Sequence, residues 1–523
     1  MNPGLFDKLR RLRYAWLFLL AFALRAVFLL QWLDLPYLSA LSSDAWAYDR
    51  WALEILENGP LRHTAFYQSP FYPYFLAGFY KLFGHQPAGV LWLQALADSC
   101  TCLLVMRLGE RCFGGRAGLW AGLLCALYRP FIFSAAVPGK ETFAVLSAAL
   151  FALLALRAGG TGRARDYFYC GLAGGWAALL RTNALLLLPA LLLWAWQREP
   201  ARRLLRSAAL PLLLGAALPL LPAALHNWAA SRDLVLVNYN GGYTFYLGNN
   251  PSASGTGIYP PGFSSAPPLE ESQPALIAER ESGRELKPSE ISAFWFRKGL
   301  AFIAENPGAW LKLTAAKFFF FWNRYEIPDN YDLQFISGQF ATLLRWPLVS
   351  FALAGCLGAA GLFLCRRKES SGLLLFLFAA YFASLLPFWL TDRYRLPALA
   401  LLLPLAGGML DYAGTALVSR DWRRALRPAL LASPLLLVCL LPTPFNRSFA
   451  EASGWVQLAL VYAETGDGAG AVRAFEMAEG SDPAALTPEL LAAAASFLER
   501  RGDLEAASVL RAARDGLAAS RIK

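Results

Sequence analysis

Apolar runs of bilayer length constrain this chain more than any other feature. "YAWLFLLAFALRAVFLLQWL" (14–33), "LLLLPALLLWAW" (185–196) and "LLLFLFAAYFASLLPFWL" (373–390) approach or reach the ~20 residues that a helix needs to cross hydrocarbon. Lipid offers no partner for backbone N–H and C=O groups, so such segments must satisfy them internally, as helices do. Only 16% of the 523 residues are charged, against about a quarter in a soluble domain, and the mean hydropathy is +0.39. The expected fold class is all-α, a polytopic membrane protein. Eleven spans are expected, near 14–33, 87–107, 117–135, 141–157, 166–180, 182–197, 207–228, 342–364, 372–390, 395–417 and 428–443. The first run is too long for a cleavable signal peptide and lacks a small-residue cleavage site.

Basic residues set the orientation. Lys8, Arg10, Arg11 and Arg13 precede the first span, and Arg107, Arg111 and Arg116 follow the second. Arg163 and Arg165, then Arg198, Arg202, Arg203 and Arg206, then Arg366, Arg367 and Lys368, then Arg420, Arg423, Arg424 and Arg427 mark alternate loops further on. The positive-inside rule makes all of these cytoplasmic, which gives an N-in, C-out chain. The net charge of +11 is thus a topology signal, and no nucleic-acid partner is expected. Loops 34–86 and 229–341, the turn "SAAVPGKE" and everything after 443 then face outward. "AWLKLTAAKFFFFWN" has outward sequence on both sides, so it reads as an interfacial helix with Lys312 and Lys317 on its polar side. The eight cysteines fall in apolar runs or beside basic loops, with no zinc-type spacing, and are expected only to pack.

Past 443 the chain changes character. Trp455, Leu458, Ala459, Tyr462, Gly466, Ala471, Phe475, Ala478 and Pro483 stand at tetratricopeptide spacing, and "FLERRGDLEAASVLRAA" repeats the pattern more weakly. The expected division is a membrane part over 1–445 and a small helical-repeat tail over 446–523. Two hairpins bury little alone, so the tail is expected to pack on the membrane part or on a protein partner.

Candidate chemistry gathers at the outer ends of the spans. In "LSSDAWAYDRWALEILENGP" Ser43 can cap a helix whose first turn holds Asp44, with Tyr48 on the same face. A carboxylate there feels the positive end of the helix, which favours its ionised form, the form a base needs. The plain alternative is a helix-start aspartate and nothing more. Glu141 beside Lys140, and Asp392 with Arg393 and Arg395, also stand at outer span ends, where ionisable groups need pairing or function. Lys140, Arg393 and Arg395 suit a phosphate, whose oxygens arginine matches bidentately. The Asn and Gly residues of "VLVNYNGGYTFYLGNNPSASGTG" imply tight turns, and Tyr243 and Asn249 could meet sugar faces and hydroxyls.

A short outward helix carrying an acid, followed by "SPFYPYFLAGFYKLFG", "GGYTFYLGNNP", "NPGAWLKLTAAKFFFFWNRYEIPDN" and "DRYRLPALALLLP", resembles the GT-C class of membrane glycosyltransferases. More narrowly the order is similar to bacterial protein O-mannosyltransferase and aminoarabinose transferase-like proteins, and it covers most of 1–445. The resemblance implies inverting transfer of a sugar from a polyprenyl-phosphate donor to a lipid, glycan or protein acceptor, on the outer side of a bacterial inner membrane. Asp44 would be the general base, while Lys140, Arg393 and Arg395 would stabilise the leaving phosphate. The family's paired acids are absent, since Ala45 follows Asp44. Asp49 or Glu141 would supply the second acid, and a divalent metal is left open, with no other cofactor implied. Two other readings compete: a flippase for a lipid-linked glycan, and an inactive assembly scaffold using the tail. A flippase would hold charges at midplane in repeated halves, whereas here the charges sit at span ends and no internal repeat is visible.

Overall fold

The computed structural model describes residues 3–197, 204–257, 259–264, 267–340, 342–364 and 369–522. Arg198, Arg202, Arg203, Cys365, Arg366, Arg367 and Lys368 lie outside them. The described chain is a run of α-helices, with a single isolated bridge between Tyr128 and Val349 as its one β-like contact. The protein is a multi-pass membrane protein: among the described residues five helices are long and apolar enough to cross a bilayer, and four shorter ones are strongly apolar.

In chain order the helices are α1 Pro3–Leu33, α2 Ser43–Asn58, α3 Phe71–Phe83, α4 Pro87–Phe113, α5 Gly115–Leu127, α6 Arg129–Ala136, α7 Glu141–Thr161, α8 Ala164–Leu180, α9 Leu187–Trp196 and α10 Leu210–Ser231. The long connection after α10 holds α11 Gly241–Gly248, α12 Pro267–Ser282, α13 Pro288–Glu305, α14 Pro307–Trp322 and α15 Leu333–Gln339. Then follow α16 Phe351–Leu364, α17 Glu369–Leu385, α18 Asp392–Val418 and α19 Trp422–Leu440. The tail is α20 Arg447–Thr465, α21 Gly468–Ser481, α22 Pro488–Arg501 and α23 Leu504–Ile522.

α18 is the axis of the bundle. Leu396 to Ala406 is buried without interruption, packed among α4, α5, α7, α16 and α19. A helix apolar all round belongs inside, and small residues let it approach its neighbours. A Cβ on Gly407 would lie 2.4 Å from the Ala117 carbonyl oxygen of α5, so only glycine permits that crossing.

Three expectations about elements need correction. The span expected over 117–135 is broken at the extended Tyr128: Pro130 has no N–H to give the Ala126 carbonyl and its ring would clash with it, so it stands in the first turn of a new helix. The carbonyls of Cys125 and Ala126 freed by the break accept from the buried Arg25 guanidinium, which also pairs with Asp98 at 2.7 Å. The span expected over 342–364 is helical only from Phe351. Before it come a 3-10 turn and the bridge in which Val349 N–H donates to the Leu127 carbonyl. The "NGG" segment, expected as tight turns, forms α11: the missing Cβ of Gly242 lets α11 meet α13, where a methyl would sit 1.8 Å from the Ser292 carbonyl oxygen.

α14 also departs from its expected polar face. Lys312 is exposed, but Lys317 is buried and its Nζ donates to the Gly248 carbonyl at 2.8 Å. The aromatic end Phe320–Trp322 is buried in the bundle core. The tail forms two antiparallel helix pairs around an alanine-rich core. It does not stand off: Trp455 meets the Phe335 ring edge-on at 5.1 Å, and Gly454 packs on the same ring.

Candidate active site

The head of α18 and the start of α2 meet where the sequence placed its acids and arginines. Ser42, not Ser43, precedes the first turn of α2, and Ser43 adopts φ 52°, a left-handed conformation uncommon without glycine. The Ser43 hydroxyl accordingly does not cap the helix. It donates to Asn330 Oδ1 at 2.8 Å, and Asn330 Nδ2 in turn donates to Asp44 Oδ2 at 3.2 Å. Asn330 belongs to the "IPDN" turn after α14, held by Gln457 of the tail, whose Nε2 donates to the Asn330 carbonyl at 2.7 Å and to Ser42 Oγ at 3.2 Å.

Arg393, in the first turn of α18, is the hub. Its Nη1 is paired with Asp44 Oδ2, its Nε lies 2.6 Å from Asp329 Oδ2, and Glu141 Oε1 is 3.7 Å from Nη1. Glu141 opens α7 and pairs at 2.9 Å with Arg181, which ends α8 and also donates to the Arg393 carbonyl at 3.3 Å. Lys140 lies 5.7 Å over the Tyr48 ring. Three cations and three carboxylates therefore gather where the start of α7, the end of α8 and the start of α18 meet α2. Beside them opens a cleft of about 410 Å³, lined by Asp44, Gln68, Lys140, Glu270, Asp329 and Arg393 among others.

Electrostatics separates the acids. Burial alone would push the Asp44 carboxyl up, but the Arg393 and Lys140 charges, with hydrogen bonds from Arg393 and Asn330, hold it well below the usual carboxylate range. Burial raises Asp329 in spite of Arg393. Glu270 is pushed up to about 8, by burial first and then by the Asp44 charge. Lys140 is brought down to about 8 by burial and the nearby Arg181, against the pull of Asp44 and Glu141. Groups whose environments drive their protonation apart are what acid–base work needs.

Of the residues singled out from sequence, Asp44, Tyr48, Lys140, Glu141 and Arg393 come together here. Four do not. Asp49 lies on the α3 side of α2, accepting from Tyr80 at 2.7 Å and facing His85 at 2.8 Å. Arg395 points into the bundle: it is 1% exposed, pairs with Glu326, and donates to the carbonyls of Phe321 and Asn323 at 3.0 and 2.7 Å. Tyr243 packs on Trp295, with ring centroids 5.6 Å apart, and Asn249 is fully buried, donating to the Phe245 and Pro387 carbonyls. Among the described residues no three His, Cys, Asp or Glu side chains converge as ligands for a metal ion.

Sequence reasoning did not single out Asp329, Asn330, Glu270 or Gln68. A signal existed for the first two, an acid and an amide straight after a proline in a long polar connection. Nothing in "PPLEES" distinguishes Glu270.

Residues 67–227 match the family model described as dolichyl-phosphate-mannose-protein mannosyltransferase. This segment contains Gln68, Lys140, Glu141 and Arg181, and the match bears out the resemblance to membrane glycosyltransferases. No curated protein matches the chain. Among solved structures, the oligosaccharyltransferase of Archaeoglobus fulgidus in its apo form is similar with a TM-score of 0.43 and 16% identity, covering 85% of this chain and 58% of that one. The chain thus spans less than two thirds of that relative's length. ArnT from Cupriavidus metallidurans in the apo state is similar with a TM-score of 0.38 and 17% identity, covering 89% of this chain and 71% of that one.

Proposed function

We propose that this chain transfers a sugar from a polyprenyl-phosphate donor to an acceptor hydroxyl on the outer side of a bacterial inner membrane, with inversion. The observation that carries the reading is the Arg393–Asp44 pair beside the cleft: a guanidinium suited to phosphate, joined to the carboxylate suited to take the acceptor's proton. The matched family supports glycosyl transfer as the reaction class.

While Arg393 and Lys140 stabilise its charge, Asp44 is a weak base. A donor phosphate offers Arg393 a competing bidentate partner. As the guanidinium turns to it, Asp44 loses its strongest stabilisation and its proton affinity rises. Asp44 then accepts the proton of the acceptor hydroxyl as that oxygen attacks the anomeric carbon. The bond from the anomeric carbon to the phosphate oxygen breaks, and the polyprenyl phosphate departs with its negative charge held by Arg393 and Lys140. Glu270 keeps its proton near neutrality and can donate it to a sugar oxygen. The tail, 446–523, lies on the same side as the site.

The test follows labelled sugar on polyprenyl phosphate in membranes holding wild type, Asp44→Asn or Arg393→Lys. Label should leave the carrier with wild type, more slowly with Arg393→Lys and not with Asp44→Asn, and the fraction that receives it identifies the acceptor class. Equal transfer by Asp44→Asn would remove the base assignment and move the flippase and scaffold readings ahead.

A further inference from the structure

A second cavity, larger than the Asp44 cleft, lies elsewhere in the molecule. It measures about 630 Å³ and lies where the tail joins the membrane part, between the ends of α14 and α19 and the starts of α6 and α20. Three arginines from distant parts of the chain line it: Arg129, the first residue of α6; Arg324, just past α14; and Arg447, the first residue of α20. Among the described residues none of the three guanidiniums has a carboxylate within ion-pair distance. The two acids in the same wall are already engaged. Asp332 caps α15, accepting from the N–H groups of Gln334 and Phe335, and Glu451 accepts from Gln339 at 3.0 Å.

The placement makes the missing partner more conspicuous. Arg129 and Arg447 stand at the positive ends of their helices, where a cation is unfavourable and an anion favourable. Arg324 is fixed beside them because its N–H donates to the Cys439 carbonyl at the end of α19. Guanidiniums that line one cavity whose acids are engaged elsewhere match the oxygens of a phosphate.

We propose that this cavity is a second anion site, separate from the Arg393 cleft, and that it takes a phosphate ester. A membrane lipid headgroup and a soluble phosphate share this chemistry. The leucines at the end of α19 in the same wall suit a lipid, whose chains would continue along that helix. Occupancy would draw α6, α14 and the first tail helix together through one ligand. The inference does not depend on the transferase reading, since none of these residues lines the Asp44 cleft.

The full chain in detergent would be titrated with phosphatidylglycerol or phosphatidylcholine by native mass spectrometry, and with inorganic phosphate by calorimetry. The variants are Arg129→Gln/Arg324→Gln/Arg447→Gln and the single exposed changes Arg324→Gln and Arg447→Gln, which keep the test sound if the triple variant folds poorly. Lys312→Gln, another exposed cation, is the control. Phosphatidylglycerol affinity should fall about tenfold or more in the triple variant and less in each single one, with phosphatidylcholine unaffected. The same loss seen with inorganic phosphate alone would identify a soluble ester as the occupant. Unchanged binding of both probes, or an equal loss in Lys312→Gln, would overturn the proposal.

Discussion

Arg393 and Arg395 are two residues apart on one helix, and the structure gives them opposite work. Replacing each with alanine separates the roles. Arg395→Ala removes the partner of Glu326, which is 2% exposed, leaves the carbonyls of Phe321 and Asn323 without their donor, and strips the guanidinium from the Phe351 ring, 3.9 Å away. Breaking a buried ion pair by deleting one partner costs roughly 3–5 kcal/mol, because the other charge stays buried. At about 2–4 °C per kcal/mol for a large domain, the thermal midpoint should drop by roughly 10 °C. Arg393→Ala instead deprives Asp44 and Asp329 of their shared cation at a cleft wall, where their side chains keep 12% and 16% exposure against 2% for Glu326, so its midpoint should fall less than that of Arg395→Ala while transfer is lost. The assay is thermal unfolding in detergent followed by size-exclusion fluorescence, with carrier-label transfer measured on the same preparations. Arg395→Met/Glu326→Gln removes both charges and should recover more than half of the lost midpoint. An Arg395→Ala chain that melts like wild type but transfers nothing would refute the assignment and return Arg395 to the phosphate.

Two further outcomes follow from the site. Glu270 has its protonation raised from 4.5 to about 8, so between those values the folded chain holds a proton that the unfolded chain has released, and stability must fall as pH rises through that window. Glu270→Gln should flatten the decline of the melting midpoint between pH 5 and 8, and an unchanged slope would mean that Glu270 is not the group responsible. Gln457 holds Asn330 and Ser42 from the tail, and a hydrogen bond of this kind contributes about 0.5–1.5 kcal/mol of stability, so Gln457→Ala should lower the melting midpoint by roughly 1–6 °C and slow transfer through the loosened Asn330; unchanged midpoint and transfer would mean that the contact holds nothing.

What the sequence disclosed and what it hid divide along a physical line. Apolar periodicity and length reported the spans, because burial in lipid acts on composition, which survives averaging over neighbours. The acid at the start of α2 was legible for the same local reason, as were Lys140, Glu141 and Arg393 at span ends, where charge is informative against an apolar background. Direction was not legible. Arg393 and Arg395 are indistinguishable as letters, and only the position of Glu326 and two carbonyls shows that one faces the core. Helix rotation, not residue type, made the difference. Asp329, Asn330 and Gln457 reach Asp44 from loops and a tail hundreds of residues away, and no local pattern encodes that closure. The glycines of α11 misled for a related reason: their spacing suits a turn, and only the nearby Ser292 backbone explains why a helix needs them.

The pairing with Arg393 that makes Asp44 a poor base yields a kinetic signature. The acid limb of kcat/KM reports the free enzyme and that of kcat the bound complex. In the free enzyme Asp44 ionises far below the usual range, so kcat/KM should show no loss from this group down to the pH at which the chain unfolds. In the complex the phosphate holds Arg393, the Asp44 carboxylate loses that stabilisation while its burial still favours the protonated form, and its proton affinity rises. Activity that needs the carboxylate is then lost at a higher pH, so kcat must decline at a higher pH than kcat/KM does. Arg393→Lys weakens the resting pair and should narrow the gap between the two limbs. Coincident limbs in wild type would show that Arg393 stays on Asp44 through turnover, and the competition between carboxylate and phosphate would then have to be abandoned.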